Sequence, residues 1–282
     1  MGSFFLEYGD QPISFRKTMA TKSMRLLQIF LYNKENGISR GRLLESTYGR
    51  EDVADAANSL RVGVHRLKRS LVEAGLPQYE YIYTQKGVYH WISPMPVEVD
   101  AIEIKNKILE AQKETDEKAR MDQMIEALER YTGEFLADFG EEEWVQAERA
   151  QLKKVYADAL GEVSEYLLKQ ENFEELQKLT AVASELYPFD EWQAVQMQAL
   201  IGLERYKEAM KLYEQTSKHY FEEFGVTPSE KLVEQYRYLG SRMGSRHRVI
   251  EEVQADLQEN PGEKGGSFFC SLAGFRDCYR LV

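Results

Sequence analysis

The stretch Asn172-Phe173-Glu174-Glu175-Leu176 recurs 33 residues later as Arg205-Tyr206-Lys207-Glu208-Ala209. A period of about 33 residues in helical texture marks stacked helix–turn–helix units, none of which buries its apolar face alone. Pro188 and Pro228 close the two units roughly where such repeats place a terminal proline. From Val99 to about Val253 the chain is helical in texture, with few Gly or Pro. Tyr166, Phe173, Leu176, Leu179, Tyr206, Met210 and Tyr213 fall at packing spacings, and Trp144 and Trp192 read as core or interface anchors. The acid run Glu141-Glu142-Glu143 reads as a helix start, where the dipole favours negative charge without any metal.

Charge separates this body from what precedes it. The net charge of −11 over 282 residues conceals a split near residue 97. Residues 1–97 hold 13 basic and 9 acidic side chains, or +4, and the remainder holds 23 and 38, or −15. Such asymmetry describes an anion- or nucleic-acid-binding head on an acidic body. The body should repel a phosphate backbone, which leaves protein partners or self-association as its use. Hydrophobic content of 43% supports real cores. No apolar run reaches the roughly 18 residues of a membrane span, and no signal peptide opens the chain. Met1-Gly2-Ser3 lacks the later Ser or Thr of a myristoylation site, since Leu6 stands there. Two cysteines, Cys270 and Cys278, make no disulfide framework, and a reducing cytoplasm is the expected home.

Within the head, Phe4–Tyr8 and Ile13–Phe15 flank the turn formers Gly9, Asp10 and Pro12, as in a short hairpin. A helix follows, with Thr21 as cap and Met24, Leu27, Phe30 and Leu31 at helical spacing. Ser39 caps a second short helix, and a third runs from about Val53 to Ala74. Tyr79–Thr84 and Val88–Ile92 then bracket Gln85-Lys86-Gly87 as strand, turn and strand. Pro94 and Pro96 mark a linker.

The third helix carries the chemistry. Leu60, Val64, Leu67 and Leu71 share an arc of about 60° on a helical wheel. Asn58, Arg61, Val62, His65 and Arg69 lie opposite, with Lys68 at the edge. One apolar seam and a basic, hydrogen-bonding far side is what a major-groove reader requires: Arg suits the G O6/N7 pair and Asn the A N6/N7 pair. Marginal cations neutralise phosphate, giving affinity without sequence information. A short capped helix precedes this element and a hairpin tipped by Lys86 follows it, so it reads as helix-turn-helix with a wing. Arg40 and Arg42, in the first turn of helix two, could grip phosphate. His90 should face outward from a half-buried strand.

Chemistry of other kinds finds no support in sequence. There is no phosphate-binding GxxxxGK[ST] loop, no GxGxxG, no HExxH and no Cys/His cluster at metal spacing. Histidines 65, 90, 219 and 247 are scattered. The expectation is no catalytic residue, no metal and no cofactor. The tail from Glu259 is Gly-rich and then apolar, from Ser267 to Val282; it reads either as a docked terminal strand or as the entrance to a further domain.

Two resemblances join these readings. Asn58-Ser59-Leu60-Arg61-Val62-Gly63-Val64-His65-Arg66-Leu67-Lys68-Arg69-Ser70-Leu71 and Ile82-Tyr83-Thr84-Gln85-Lys86-Gly87-Val88-Tyr89 resemble the recognition helix and wing of OmpR-type winged helices. Val88 departs from the second glycine common there. Tyr131-Thr132-Gly133-Glu134-Phe135-Leu136, Glu143-Trp144 with Glu148-Arg149, Tyr187-Pro188-Phe189-Asp190-Glu191 and Glu222–Ser229 resemble the bacterial transcriptional activator domain of the Streptomyces antibiotic regulatory protein family. The resemblance spans about residues 1–243. It implies a regulator, usually an activator, that binds repeated promoter sites and contacts RNA polymerase. It also implies DNA contacts at Arg61, His65, Arg66, Lys68 and Lys86. The wheel sets Arg66 beside the core stripe, so Arg66 is assigned to phosphate.

The expected architecture is mainly α with a small β component: a winged helix-turn-helix over 1–97, an all-α tetratricopeptide-like repeat domain over 98–245, and a C-terminal helix and tail over 246–282. The expected function is a cytoplasmic DNA-binding transcriptional regulator with double-stranded promoter DNA, RNA polymerase and a second copy as partners, and no membrane. Two alternatives remain open. One is a tetratricopeptide adaptor whose winged helix contacts protein. The other is a sensory regulator whose ligand-binding C-terminal domain is missing.

Overall fold

Gly9, at φ +54, turns the chain between β1 (Glu7–Tyr8) and β2 (Gln11–Pro12), which pair antiparallel with Glu7 opposite Pro12. The computed structural model describes residues 1–9, 11–15, 21–49, 55–139 and 142–243. Cys270, Cys278, His247 and the region 246–282 lie outside the described residues, as do Val53 and Glu141. The opening hairpin is shorter than Phe4–Tyr8 and Ile13–Phe15 suggest: its ladder is two residues long, extended by the Ile13 amide donating to the Leu6 carbonyl at 2.7 Å.

Three helices follow: α1 (Thr21–Tyr32), α2 (Arg40–Tyr48) and α3 (Ala56–Glu73). Ser39 caps α2, its hydroxyl accepting from the Arg42 amide. The same Ser39 ends β3 (Ile38–Ser39), a strand the sequence did not announce. It pairs with β5 (Val88–Trp91), which pairs in turn with β4 (Ile82–Gln85), giving the sheet order β3-β5-β4. Leu26, Leu27, Phe30, Leu43, Leu60, Leu67 and Leu71 fill the core beneath this sheet, closed by Tyr81, Ile82 and Trp91. Gly37, at φ +69, is obligatory: a Cβ there would sit 2.6 Å from His90 Nδ1 and 2.8 Å from the Tyr89 carbonyl.

The rest is helical: α4 (Asp100–Ala111), α5 (Glu117–Glu129), α6 (Glu143–Lys169), α7 (Phe173–Leu186), α8 (Trp192–Gly202), α9 (Tyr206–Phe224) and α10 (residues 230–243). From α4 to α9 each helix packs on the next. The 33-residue echo is structural. Glu171 and Glu204 both adopt left-handed backbone, at φ 54 and 57. The Asn172 amide reaches the Leu167 carbonyl at 3.0 Å, and the Arg205 amide reaches the Leu200 carbonyl at 2.8 Å. Both are the six-to-one bonds of a Schellman helix end, and Asn172 and Arg205 each serve as N-cap of the next helix. Gly202 ends α8 against the Phe173 ring, where a Cβ would come within 2.5 Å.

Head and body are joined by more than a linker. Phe4 and Trp144 pack against both cores, and Met95, Val97 and Val99, around Pro96, pack on the head. The Tyr32 hydroxyl donates to Glu148 at 2.5 Å, while its ring lies 5.0 Å from that of Phe135. Burial, with the Glu148 carboxylate as acceptor, pushes the Tyr32 phenol far above its ordinary range. Glu142 occupies the N-cap of α6, but its side chain makes no cap bond. It pairs instead with Arg25 of α1 at 2.5 Å, because a cation across the junction outcompetes amides that water can serve. The acid run is thus in part a strut between domains.

Candidate nucleic-acid interface

The surface built by α3 and the β4–β5 wing begins with packing. Leu60, Val64, Leu67 and Leu71, the stripe picked out by spacing, are all buried. Gly63 lets α3 lie close on α1: a Cβ there would meet Leu26 Cδ1 at 3.0 Å. Asp55 caps the helix by accepting from the Asn58 amide at 2.9 Å, so α3 starts at Ala56 rather than near Val53. The seam fixes the outer face. Asn58, Arg61, Val62, His65, Arg66 and Arg69 are exposed, and Lys68 is half-buried. Arg66, beside the stripe on the wheel, still stands clear of the core.

The cations on this surface fall into two groups. Lys68 pairs with Glu80, and Arg69 pairs with Glu73 one turn along at 2.8 Å. Arg61, Arg66, Arg40, Arg42 and Lys86 have no ion-pair partner among the described residues. Sequence reading missed both acids. The four-residue spacing of Arg69 and Glu73 was a legible signal, whereas Lys68 and Glu80 meet only because the hairpin folds back.

The wing is a two-residue hairpin. Gln85 pairs with Val88, and between them Lys86 and Gly87 take φ values of 49 and 80. Two left-handed residues make a type I′ turn, whose twist matches the flanking strands. Val88 therefore needs no glycine conformation. The tip is tethered to the helices: the Arg40 amide donates to the Gly87 carbonyl at 2.9 Å. Arg40 and Lys86 consequently share one edge, and Arg42 is exposed two residues further along α2. Tyr83 and His90, opposite one another on the wing, stack at 4.9 Å, so His90 is half-buried against a tyrosine.

The arrangement presents a solvent-facing helix with Arg61 and Arg66 on its outer face, the ion-paired Lys68 and Arg69 further along, and at its margin Arg40, Arg42 and Lys86, without ion-pair partners among the described residues. Residues 99–240 match the family described as bacterial transcriptional activator domain. Residues 16–89 match that described as transcriptional regulatory protein, C terminal. Among curated proteins no sequence matches this chain. Among solved structures the chain is similar to Mycobacterium tuberculosis EmbR, determined in complex with a low-affinity phosphopeptide, at 15% identity and a TM-score of 0.54. The match covers 86% of this chain and 64% of that one, so the chain spans just under two thirds of the EmbR chain's length. At that identity the likeness is one of fold: a winged helix followed by an all-helical domain. Among the described residues no helix is long and apolar enough to cross a membrane.

Proposed function

The chain belongs to the bacterial transcriptional activator domain family, and we propose that it regulates transcription by inserting α3 into the major groove of promoter DNA while the wing holds the adjacent backbone. Both matched families are transcriptional regulator domains rather than enzymes. The observation that carries the groove reading is the grouping of cations without ion-pair partners among the described residues: Arg61 and Arg66 on the outer face of α3, with Arg40 tied to the Lys86-Gly87 tip by the Arg40–Gly87 bond and Arg42 exposed in the same first turn of α2. In this reading Asn58, Arg61, Val62 and His65 face base edges, and Arg40, Arg42, Arg66 and Lys86 hold phosphates. Lys68 and Arg69 exchange their carboxylate partners for phosphate on binding. The acidic body faces protein, either RNA polymerase to activate or a second copy to occupy repeated sites.

Fluorescence anisotropy on the gene's own upstream DNA and on shuffled DNA, across a salt series, tests this. Arg61→Ala should lose about 1–3 kcal/mol of preference for the native fragment. Lys86→Ala should weaken all sequences alike and flatten the salt slope by about one phosphate. Absence of binding to either DNA at low salt overturns the reading and leaves a protein-binding adaptor in its place. If a randomised pool yields a preferred site that the upstream region lacks, the groove reading stands and autoregulation falls.

A further inference from the structure

Two apolar features remain once the head and the repeat are accounted for. One is on the surface. Phe189, Phe221, Phe224 and Val226 are 42%, 69%, 59% and 50% exposed. The Phe189 ring lies 4.7 Å from that of Phe224 and stacks on His219 at 4.9 Å. Gly225, at φ +67, stops α9 between Phe224 and Val226. Single exposed hydrophobics are ordinary, but a contiguous aromatic face is a contact waiting for its other half.

The second feature is in the sequence. Phe268, Leu272, Phe275, Tyr279 and Val282 are spaced four, three, four and three apart, the spacing of one helix face. The sixteen residues 267–282 hold only three charges, Arg276, Asp277 and Arg280.

We propose that segment 267–282 lays this stripe on the Phe189–Phe224 face of its own chain, as an amphipathic helix enters an apolar groove. The reach fits. After the turn at 225–229, α10 runs back along α9, with the Tyr236 ring stacked on Tyr213 at 4.0 Å. Its end at residue 243 is about 20 Å from that turn, at 1.5 Å per residue. Twenty-three residues, 244–266, separate that end from the stripe, and even at the helical rise of 1.5 Å each, about 35 Å in all, they exceed that distance. Charge does not oppose the contact, because residues 206–243 carry six acidic and six basic side chains. Both orphan features are thereby satisfied by one intramolecular contact at high effective concentration.

The chain's two cysteines are both in this segment, so its position can be read without new thiols. On the helical face defined above, Cys278 lies beside the stripe. The full chain carrying Cys270→Ser is labelled at Cys278 with a benzophenone maleimide, irradiated, separated into monomer and dimer, and digested for mass spectrometry. Links within one chain to residues 187–190 or 218–228 are expected. They should fall at least tenfold in Phe221→Ser/Phe224→Ser, whose exposed positions leave the helical far-UV spectrum intact. In parallel, Phe268→Ser/Phe275→Ser in the full chain should raise fluorescence of an apolar-surface dye severalfold. Links that join two chains overturn the proposal, since a second copy then supplies the segment. Links that fall elsewhere, or survive the Phe221/Phe224 double variant, overturn it as well, as does unchanged dye fluorescence.

Discussion

The amide of Arg40, the first residue of α2, donates to the carbonyl of Gly87 at the wing tip, 2.9 Å away. The bond locks the start of one helix to the end of a hairpin about fifty residues later. It also couples the position of the wing to that of helix two.

Gly87 is the weak point of that lock. Its φ of 80 lies where an L side chain costs about 1–2 kcal/mol. Gly87→Val should lower Tm by a few degrees and weaken DNA binding on every sequence alike. Calorimetry and anisotropy check the two effects. A variant that binds normally would mean that the wing does not touch the duplex.

Glu80 holds Lys68 in an exposed pair, and such pairs add well under about 1 kcal/mol to stability. Glu80→Gln should leave Tm unchanged while freeing Lys68 for phosphate. The expected result is tighter binding at low salt with a similar salt slope, because Lys68 meets a phosphate in both proteins but no longer has to give up Glu80. Unchanged affinity would place Lys68 away from the DNA backbone.

Gly202 lies under the ring of Phe173, so Gly202→Ala forces ring or helix to move. Overpacking of this kind costs about 1–3 kcal/mol. Urea unfolding should show a lowered midpoint, and the double variant Gly202→Ala/Phe173→Leu should recover part of the loss. Equal midpoints for wild type and Gly202→Ala would show that the ring has room to swing aside.

Tyr131, Tyr156 and Tyr187 form a buried cluster, with the Tyr131 and Tyr187 hydroxyls 2.8 Å apart. Burial raises all three phenols above their ordinary value, and the Tyr131–Tyr187 bond raises Tyr131 further. Unfolded chains release these protons near pH 10, whereas the fold retains them. Stability is therefore full below about pH 10 and declines above it, by up to about 1.4 kcal/mol per pH unit for each group. Urea midpoints from pH 8 to 11.5 should fall steeply beyond pH 10, and less steeply in Tyr131→Phe. A flat profile would contradict the burial argument.

What could be read ahead of the structure was local. The stripe Leu60, Val64, Leu67 and Leu71 is buried as spacing requires, Ser39 caps α2, and the 33-residue echo places Glu171 and Glu204 in the same backbone turn. All three follow from interactions within a few residues. The junction escaped because its parts are remote in sequence: Tyr32 meets Glu148 across 116 residues, and Arg25 takes Glu142 from its expected role at a helix start. Strand β3 escaped for a related reason. Two residues carry no periodicity, and only pairing with β5 makes them a strand. On the candidate DNA face, side-chain types were legible, but which cations are already paired was set by where Glu80 lands.

Helix α6 touches the head at Trp144 and Glu148 and then continues without a break to Lys169. Its 27 residues make a rod of about 40 Å, or about twelve base pairs of duplex at 3.4 Å each. Such a rod acts as a ruler: whatever its far end holds is kept at a set distance from the head. If the body holds RNA polymerase, as proposed, inserting five base pairs between the operator and the polymerase site would carry that partner to the opposite side of the double helix, away from where a ruler of fixed length meets it.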